Sequence, residues 1–412
     1  MRKIIYICLI FLYGCAATMQ SHLNNVQNNF ENGKFEQTIS DKNISDQNNL
    51  ELLISGMALF HENKFSESDS AFEEFNKRNI NETSSSFLRE TAGLLLGSGV
   101  NSYKPYMMDS LFVSYYQIWD LLAMSDWENA RVVINQSYER QKNMSIEYKK
   151  LIEKNKGKIT ENIAPGIQEI LDKNKSDWAA FTDIMNPALM YLSGIYFLND
   201  GDFENAELYL KRANGMMPEN KFIKADLESA QKHIKPKNTT WIFTDSGFAP
   251  RLREENFSLF LPSIGLVHFT WSEPYFNSDF YAPKNSQILA NVDTMFMTEY
   301  KEYHINEVLR NYTSTISKSA LQSTMYNSHS DKAPFLAILS TIYAESSSDV
   351  DVRTWATLPK HIYVQRIDTN KTNLNDLNLN DTITNELKSG GNNLIYIRRT
   401  NKITDEKTIK LK

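Results

Sequence analysis

The sequence predicts an α+β chain: a helical repeat solenoid in the first half, then a β-rich half, read as sandwich-like, with a helical insertion near 299–345. Three observations predict it. First, Gly33-Lys34-Phe35-Glu36, Asn63-Lys64-Phe65-Ser66, Ser125-Asp126-Trp127-Glu128 and Gly201-Asp202-Phe203-Glu204 echo one another as polar turn, aromatic and helix start. Second, apolar spacing of three and four stops at Lys235-Pro236-Lys237 and gives way to alternation. Third, 412 residues with 41% hydrophobic and 12% aromatic content suffice for about two to three domains, at roughly 100–200 residues each.

The chain opens with Met1-Arg2-Lys3, an apolar run from Ile4 to Tyr13, and Gly14-Cys15. A basic pair before a short apolar run is a signal-peptide pattern. The run is about half the roughly 20 residues a spanning helix needs. Leu12-Tyr13-Gly14-Cys15 resembles a bacterial lipobox. That resemblance implies cleavage of residues 1–14, a diacylglycerol on the Cys15 thiol and an acylated new amino terminus, so that two or more chains anchor the protein to a membrane. Cys8 is discarded with the signal, and the mature chain keeps no free thiol. Ala16 follows the cysteine where Asp would direct inner-membrane retention. By resemblance to sorting rules, the expected place is the outer membrane of a diderm bacterium, facing the periplasm. The Asn-X-Ser/Thr matches at Asn81, Asn135, Asn238, Asn256 and Asn311 then reflect Asn-rich composition rather than glycosylation. Residues 15–50 read as a polar, lipid-anchored tether with a short helical piece near Phe30 to Ile39.

Residues 51–235 carry the repeat. The echo aromatics Phe35, Phe65, Trp127 and Phe203 are 30, 62 and 76 residues apart, near one repeat, near two, and long enough for an insertion. The Lys- and Glu-rich segment Tyr138 to Lys175 fits that insertion. The clearest copy is Asn186 to Asn220, where Gly194, Phe197, Ala206, Leu210, Ala213 and Pro218 fall on the tetratricopeptide pattern. Gly194 permits contact between two helices, Ala206 and Ala213 permit close packing, and Pro218 ends the second helix. Such arrays expose long interaction surfaces. The stripe Tyr115, Tyr116, Trp119 and Leu122 is expected in the core, because large aromatics dominate buried area.

Residues 236–412 alternate. Strands are predicted at Thr239 to Thr244, Asn256 to Leu261, Leu266 to Trp271, His361 to Val364 and Leu394 to Ile397. The last leads through Asn401 to Glu406 into Thr408 to Leu411 as a terminal hairpin. Asp245-Ser246-Gly247 reads as a turn. Glu299 to Met325 and Pro334 to Ala344 read as helices inserted between strands.

Four passages together resemble a largely uncharacterised family of bacterial outer-membrane lipoproteins with a tetratricopeptide-like N-terminal half and a mixed C-terminal domain. They run from Tyr103-Lys104-Pro105-Tyr106 to Asp126-Trp127-Glu128-Asn129-Ala130-Arg131, from Asn186-Pro187 to Pro218, Asp245 to Pro250, and Asp351-Val352-Arg353-Thr354-Trp355-Ala356-Thr357-Leu358-Pro359. The resemblance implies no established activity. It points weakly to cell-wall work, through neighbours that resemble activators of peptidoglycan synthases. The chain departs from the family in its Asn/Lys-rich drift and its longer basic insertion. Arg353 and Trp355 are the candidate partner-binding residues; the plainer reading is a corner fixed by a buried tryptophan and an Asp351–Arg353 ion pair.

Net charge of −6 excludes a broadly basic nucleic-acid binder. Two cysteines exclude a disulfide scaffold or a Cys-rich zinc site. There is no phosphate-binding loop, nucleophile elbow or His-Glu-x-x-His helix. Glu299, Glu302, His304 and Glu307 share helical spacing, and a solvated charged face is the simpler explanation. No catalytic residue, cofactor or resident metal is expected. The sequence therefore predicts a lipid-anchored envelope scaffold that docks a protein partner. An envelope hydrolase with a site in the C-terminal half, or a structural component of a surface machine, stand as alternatives.

Overall fold

The computed structural model describes residues 23–79, 103–156, 185–261, 265–308 and 350–411. Its helices are α1 (23–31), α2 (Asn49–His61), α3 (Phe65–Asn79), α4 (Met107–Ala123), α5 (Trp127–Lys156), α6 (Pro187–Asp200), α7 (Phe203–Met216) and α8 (Lys221–Gln231). The strands β1 (Thr239–Ser246), β2 (Arg251–Leu261), β3 (Gly265–Tyr275) and β4 (Gln287–Asn291) follow, then α9 (292–308), β5 (His361–Asp368), α10 (Asp381–Leu387), β6 (Asn393–Arg399) and β7 (Thr404–Lys410).

The four echoed segments are one device. Gly33, Asn63, Ser125 and Gly201 each take positive φ (72°, 58°, 59° and 83°). After each, the next amide reaches back five residues: Lys34 to Asn29, Lys64 to Leu59, Asp126 to Leu121 and Asp202 to Phe197, at 2.8–3.1 Å. This is a left-handed C-terminal helix cap that satisfies orphan carbonyls and turns the chain. The aromatic two residues on then starts the next helix in three cases, so α2–α3, α4–α5 and α6–α7 are helix hairpins. The expected insertion from Tyr138 continues α5 unbroken to Lys156.

Residues 23–48 correct the reading of a solvated tether up to residue 50. Phe30 and Phe35 are buried and pack edge to face, with Phe30 also 6.4 Å from Phe248. Glu31 ion-pairs with Arg251, and Lys402 donates to Asn32. Leu23, Val26, Ile39 and Ile44 pack against the same core, so the segment docks through a set of apolar side chains, of which each buried Phe contributes about 1.5–3 kcal/mol.

The described strands form a mixed sheet of order β4-β5-β1-β6-β7, in which only β1–β6 is parallel, and a separate β2–β3 ribbon. Alternation sorts the side chains. Trp241, Phe243, Ile362, Val364, Leu394, Tyr396 and Ile409 face the helices, whereas Ile242, Ile395 and Ile397 pack on Ile383 and Leu387 of α10. Among the described residues the sheet is covered by helices on both faces, in place of the sandwich expected. The predicted turn at Asp245–Gly247 is also displaced. Asp245 and Ser246 complete β1, and Gly247 (φ 68°) turns the chain where a Cβ would lie 2.6 Å from the Asp279 carbonyl.

No core boundary falls at residue 235. One apolar cluster runs from Phe30 to Leu411 through both halves. Asn392 donates to Asn199 and to the Pro236 carbonyl, both at 2.7 Å, across the expected linker.

Candidate functional site

Helices and sheet meet along a seam built on three buried acids. Asp226 of α8 accepts from Tyr191 (2.6 Å), Trp241 Nε1 (2.7 Å) and Arg366 Nε (2.6 Å), tying α6, β1 and β5 together. Asp245 accepts from Tyr116 of α4 (2.7 Å) and Tyr396 of β6 (3.0 Å). Glu299 of α9 accepts from the Met107 and Met108 amides, which have no acceptor within α4 because they start the helix. Burial pushes all three carboxyl groups up, Asp245 to about 6 and Glu299 to about 8; for Asp226 and Asp245 the arginines Arg366 and Arg398 pull the other way. A raised carboxylate in a cleft is a signature of catalysis. These side chains are instead enclosed and already bonded to helix ends, tyrosines and an arginine.

Asp245 sits among further buried polar atoms. The indole nitrogen of Trp355, Thr357 Oγ1, and Nε and Nη1 of Arg398 have no hydrogen-bond partner among the described residues, and the Tyr115 hydroxyl lies between Asp245 and the Trp119 indole without a well-formed bond to either. Arg398 Nη2 donates to the Thr357 carbonyl at 3.1 Å, and its guanidinium lies over Phe248. Nearer the sheet edge, His61 Nδ1 is 2.7 Å from Asp405. Burial depresses His61 to about 4, while the bond to His61 and the Lys407 charge hold Asp405 low against its own burial. His61 is therefore the neutral donor and Asp405 the anion.

The seam opens at one end. A cleft of about 200 Å³ lies between Phe60, Phe65, Trp119 and Ala123 of the helices and Lys407 and Ile409 of β7. Lys407 is held by Asn63 (2.8 Å) and Asp405 (3.0 Å), over the Phe60 ring. A second cleft of about 240 Å³ lies between Pro187, Met217, Ile288 and Met295.

The residues singled out from the sequence fall elsewhere. Cys15 lies outside the described residues, as do 157–175 of the basic segment and Pro334 to Ala344. Arg353 pairs with Asp351 through two bonds of 2.6 and 2.7 Å. Trp355 is 2% exposed, 6.0 Å from Phe72 and 6.3 Å from Tyr116. The ion pair and the buried ring are the features the plainer reading names, with Trp355 packed against α3 and α4. Glu299, Glu302, His304 and Glu307 do not gather into one group, although His304 Nδ1 lies 3.8 Å from Glu307, and Glu299 and His304 are buried where a solvated charged face was expected. Glu299 caps α4, His304 Nδ1 meets Tyr300 (2.8 Å), and Glu307 accepts from Ser272 (2.6 Å). Among the described residues no group of three or more His, Cys, Asp or Glu side chains is arranged to hold a metal ion. The seam residues Asp226, Asp245, His61 and Arg398 carried no local signal, since their partners lie up to 344 positions away. Compared with known protein families, curated proteins and solved structures, the chain matches none.

Proposed function

We propose that the protein is a lipid-anchored cell-envelope scaffold that docks a protein partner, serving cell-wall assembly or envelope maintenance at the outer membrane of a diderm bacterium. Its helical half is read as a tetratricopeptide-like array. The observation that carries the interaction role is the succession of helix hairpins closed by one repeated cap, welded to a sheet and leaving a cleft at the seam. Stacked hairpins offer a rigid surface, and a rigid surface loses little entropy when a partner docks. The bonded state of the raised carboxylates supports this reading over a hydrolase. No described helix is long and apolar enough to cross a membrane, and the proposed attachment is through Cys15. Holding the scaffold at one surface raises its effective concentration for weak partners there.

The test is lipid labelling and fractionation of the wild type and Cys15→Ala. The wild type is expected to take up labelled palmitate and sediment with membranes, and the variant to do neither. Labelled Cys15→Ala would overturn the anchor. In-envelope crosslinking from the helical half tests the scaffold role, which fails if no partner protein is captured reproducibly.

A further inference from the structure

We propose that the outer edge of β7 takes an extended peptide of a partner protein as a sixth strand, with one large apolar side chain seated in the Phe60–Phe65–Trp119 cleft. This deepens the scaffold reading and rests on it for the partner's location only.

The edge follows from register. Thr400 donates to the Ile403 carbonyl (2.9 Å) and Leu411 to the Asn392 carbonyl (2.8 Å), which fixes the phase of the antiparallel β6–β7 ladder. In such a ladder alternate pairs are hydrogen-bonded. Residues 403, 405, 407, 409 and 411 therefore bond β6, and the N–H and C=O groups of Thr404, Glu406, Thr408 and Lys410 point away from it. β7 is an outer strand of the sheet, and none of the four has a backbone partner on its free side among the described residues. These groups recur about every 6.8 Å. Only another extended backbone matches that spacing along its length.

The cleft adds the side-chain pocket. It is lined by Glu406 to Ile409 of this edge, and the α2–α3 turn and the end of α4 overhang it. An added strand places alternate residues on the helix-facing side, where one would enter among Phe60, Phe65 and Trp119. Phe60, Phe65 and Trp119 line the cleft with aromatic rings, so the site offers an occupant a large apolar contact. A second copy fits less well. Its β7 would present Asp405, Lys407 and Ile409 on the helix-facing side, and Lys407 and Ile409 are already buried in their own body at 8% and 7% exposure. The cleft would stay unfilled. The partner is thus a segment free to donate its side chains: extended, with an apolar residue at the cleft and no proline at its bonding positions.

The test pans a random peptide display library on the folded mature chain and measures affinities of selected peptides for three proteins. Thr408→Pro removes an outward N–H without breaking a β6 bond. Ala123→Trp fills the cleft from the helix side. The expected result is selection of alternating apolar peptides that bind the wild type and lose more than about tenfold affinity to each variant, the cost of roughly one or two interactions, while melting temperatures stay unchanged. Peptides that bind all three equally, or no selection at all, would overturn the proposal. So would protection of the Glu406 and Thr408 amides from hydrogen exchange in the free monomer, because a segment of the chain itself then covers the edge. Concentration-dependent dimerisation abolished by Thr408→Pro would also overturn it, in favour of a second copy. The assay uses no lipid, so its failure leaves the Cys15 anchor standing, and failure of the anchor leaves the edge intact.

Discussion

Glu299 shows how one residue can couple two distant elements and make their union depend on pH. Its carboxylate accepts from the first amides of α4, where the helix dipole favours negative charge. Burial nonetheless pushes it to about 8, opposed by those amides and by Tyr303, and assisted by the neighbouring Asp109. Asp109 is itself raised to about 7 by burial, against its bonds to Tyr103 and the Tyr106 amide. The sign follows from proton counting. Between about 4.5, the unfolded value, and about 8, the folded state holds more protons than the unfolded state. The contribution of Glu299 is therefore complete below pH 4.5 and is lost as pH rises through 8, with a slope no steeper than about 1.4 kcal/mol per pH unit. Glu299→Gln keeps an acceptor oxygen and cannot ionise. Denaturant titrations of both proteins from pH 5 to 8.5 are expected to show the wild type losing stability relative to the variant as pH rises. A constant or growing advantage for the wild type would refute the assignment.

The helix hairpins are where sequence and structure meet most directly. Gly194 was singled out because a tetratricopeptide-like pattern needs a small residue there. An added Cβ would lie 2.6 Å from Leu210 Cγ and 3.4 Å from the Leu210 backbone nitrogen. Ala gains up to about 1 kcal/mol of helix propensity over Gly, but overpacking against a branched side chain and a backbone atom costs about 1–3 kcal/mol. Gly194→Ala is thus expected to lower the denaturation midpoint at unchanged slope. Gly215, near the end of α7, has nothing within 4 Å of its Cβ position, so Gly215→Ala is expected to be neutral or stabilising. If both substitutions behave alike, the close α6–α7 approach is wrong. The same locality explains what was legible. Turns, caps and strand alternation act over a few residues, so the repeated Gly/Asn/Ser-x-aromatic signal located all four helix ends, and the strong strands were found with their ends misplaced by a few residues. β4 was missed because Gln287 to Asn291 is short and lacks a clear alternating pattern. The seam was illegible for the opposite reason. Asp226, Asp245 and His61 have meaning only beside Trp241, Tyr396 and Asp405, whose positions the fold supplies. The Asp351–Arg353 pair is two residues apart and was readable, whereas the burial of Trp355 against Phe72 and Tyr116 was decided by the whole molecule.

At the scale of the molecule, the division at residue 235 is one of secondary structure and not of stability. The face that α4 presents to the sheet carries Tyr116 and Trp119, which pack on Tyr396 and Phe243 at ring distances of 5.5–6.4 Å. Phe60 of α2 lies 4.9 Å from Tyr396, and Tyr191 of α6 lies 5.9 Å from Phe243. Cutting between Lys235 and Pro236 would uncover both sides of this aromatic layer and take Trp241 and Arg366 from Asp226, Tyr116 from Asp245, and both α4 amides from Glu299. A buried acid whose partner is removed costs about 1–3 kcal/mol or more, and three such hubs are a large part of a domain's net 5–15 kcal/mol. The uncovered aromatic layer would be a contiguous exposed apolar patch of the kind that drives association or aggregation. Neither fragment 51–235 nor fragment 236–412 is therefore expected to fold alone. Each should bind a hydrophobic dye and melt without a cooperative transition, and mixing them should restore cooperativity if association outruns aggregation. The intact mature chain should melt in one step by both near-ultraviolet and far-ultraviolet circular dichroism. A cooperative melt with near-ultraviolet structure in either isolated fragment would show that the two halves are separate domains. The seam would then be a docking interface between them, and the β7 cleft would lose the rigid helical overhang on which its selectivity depends.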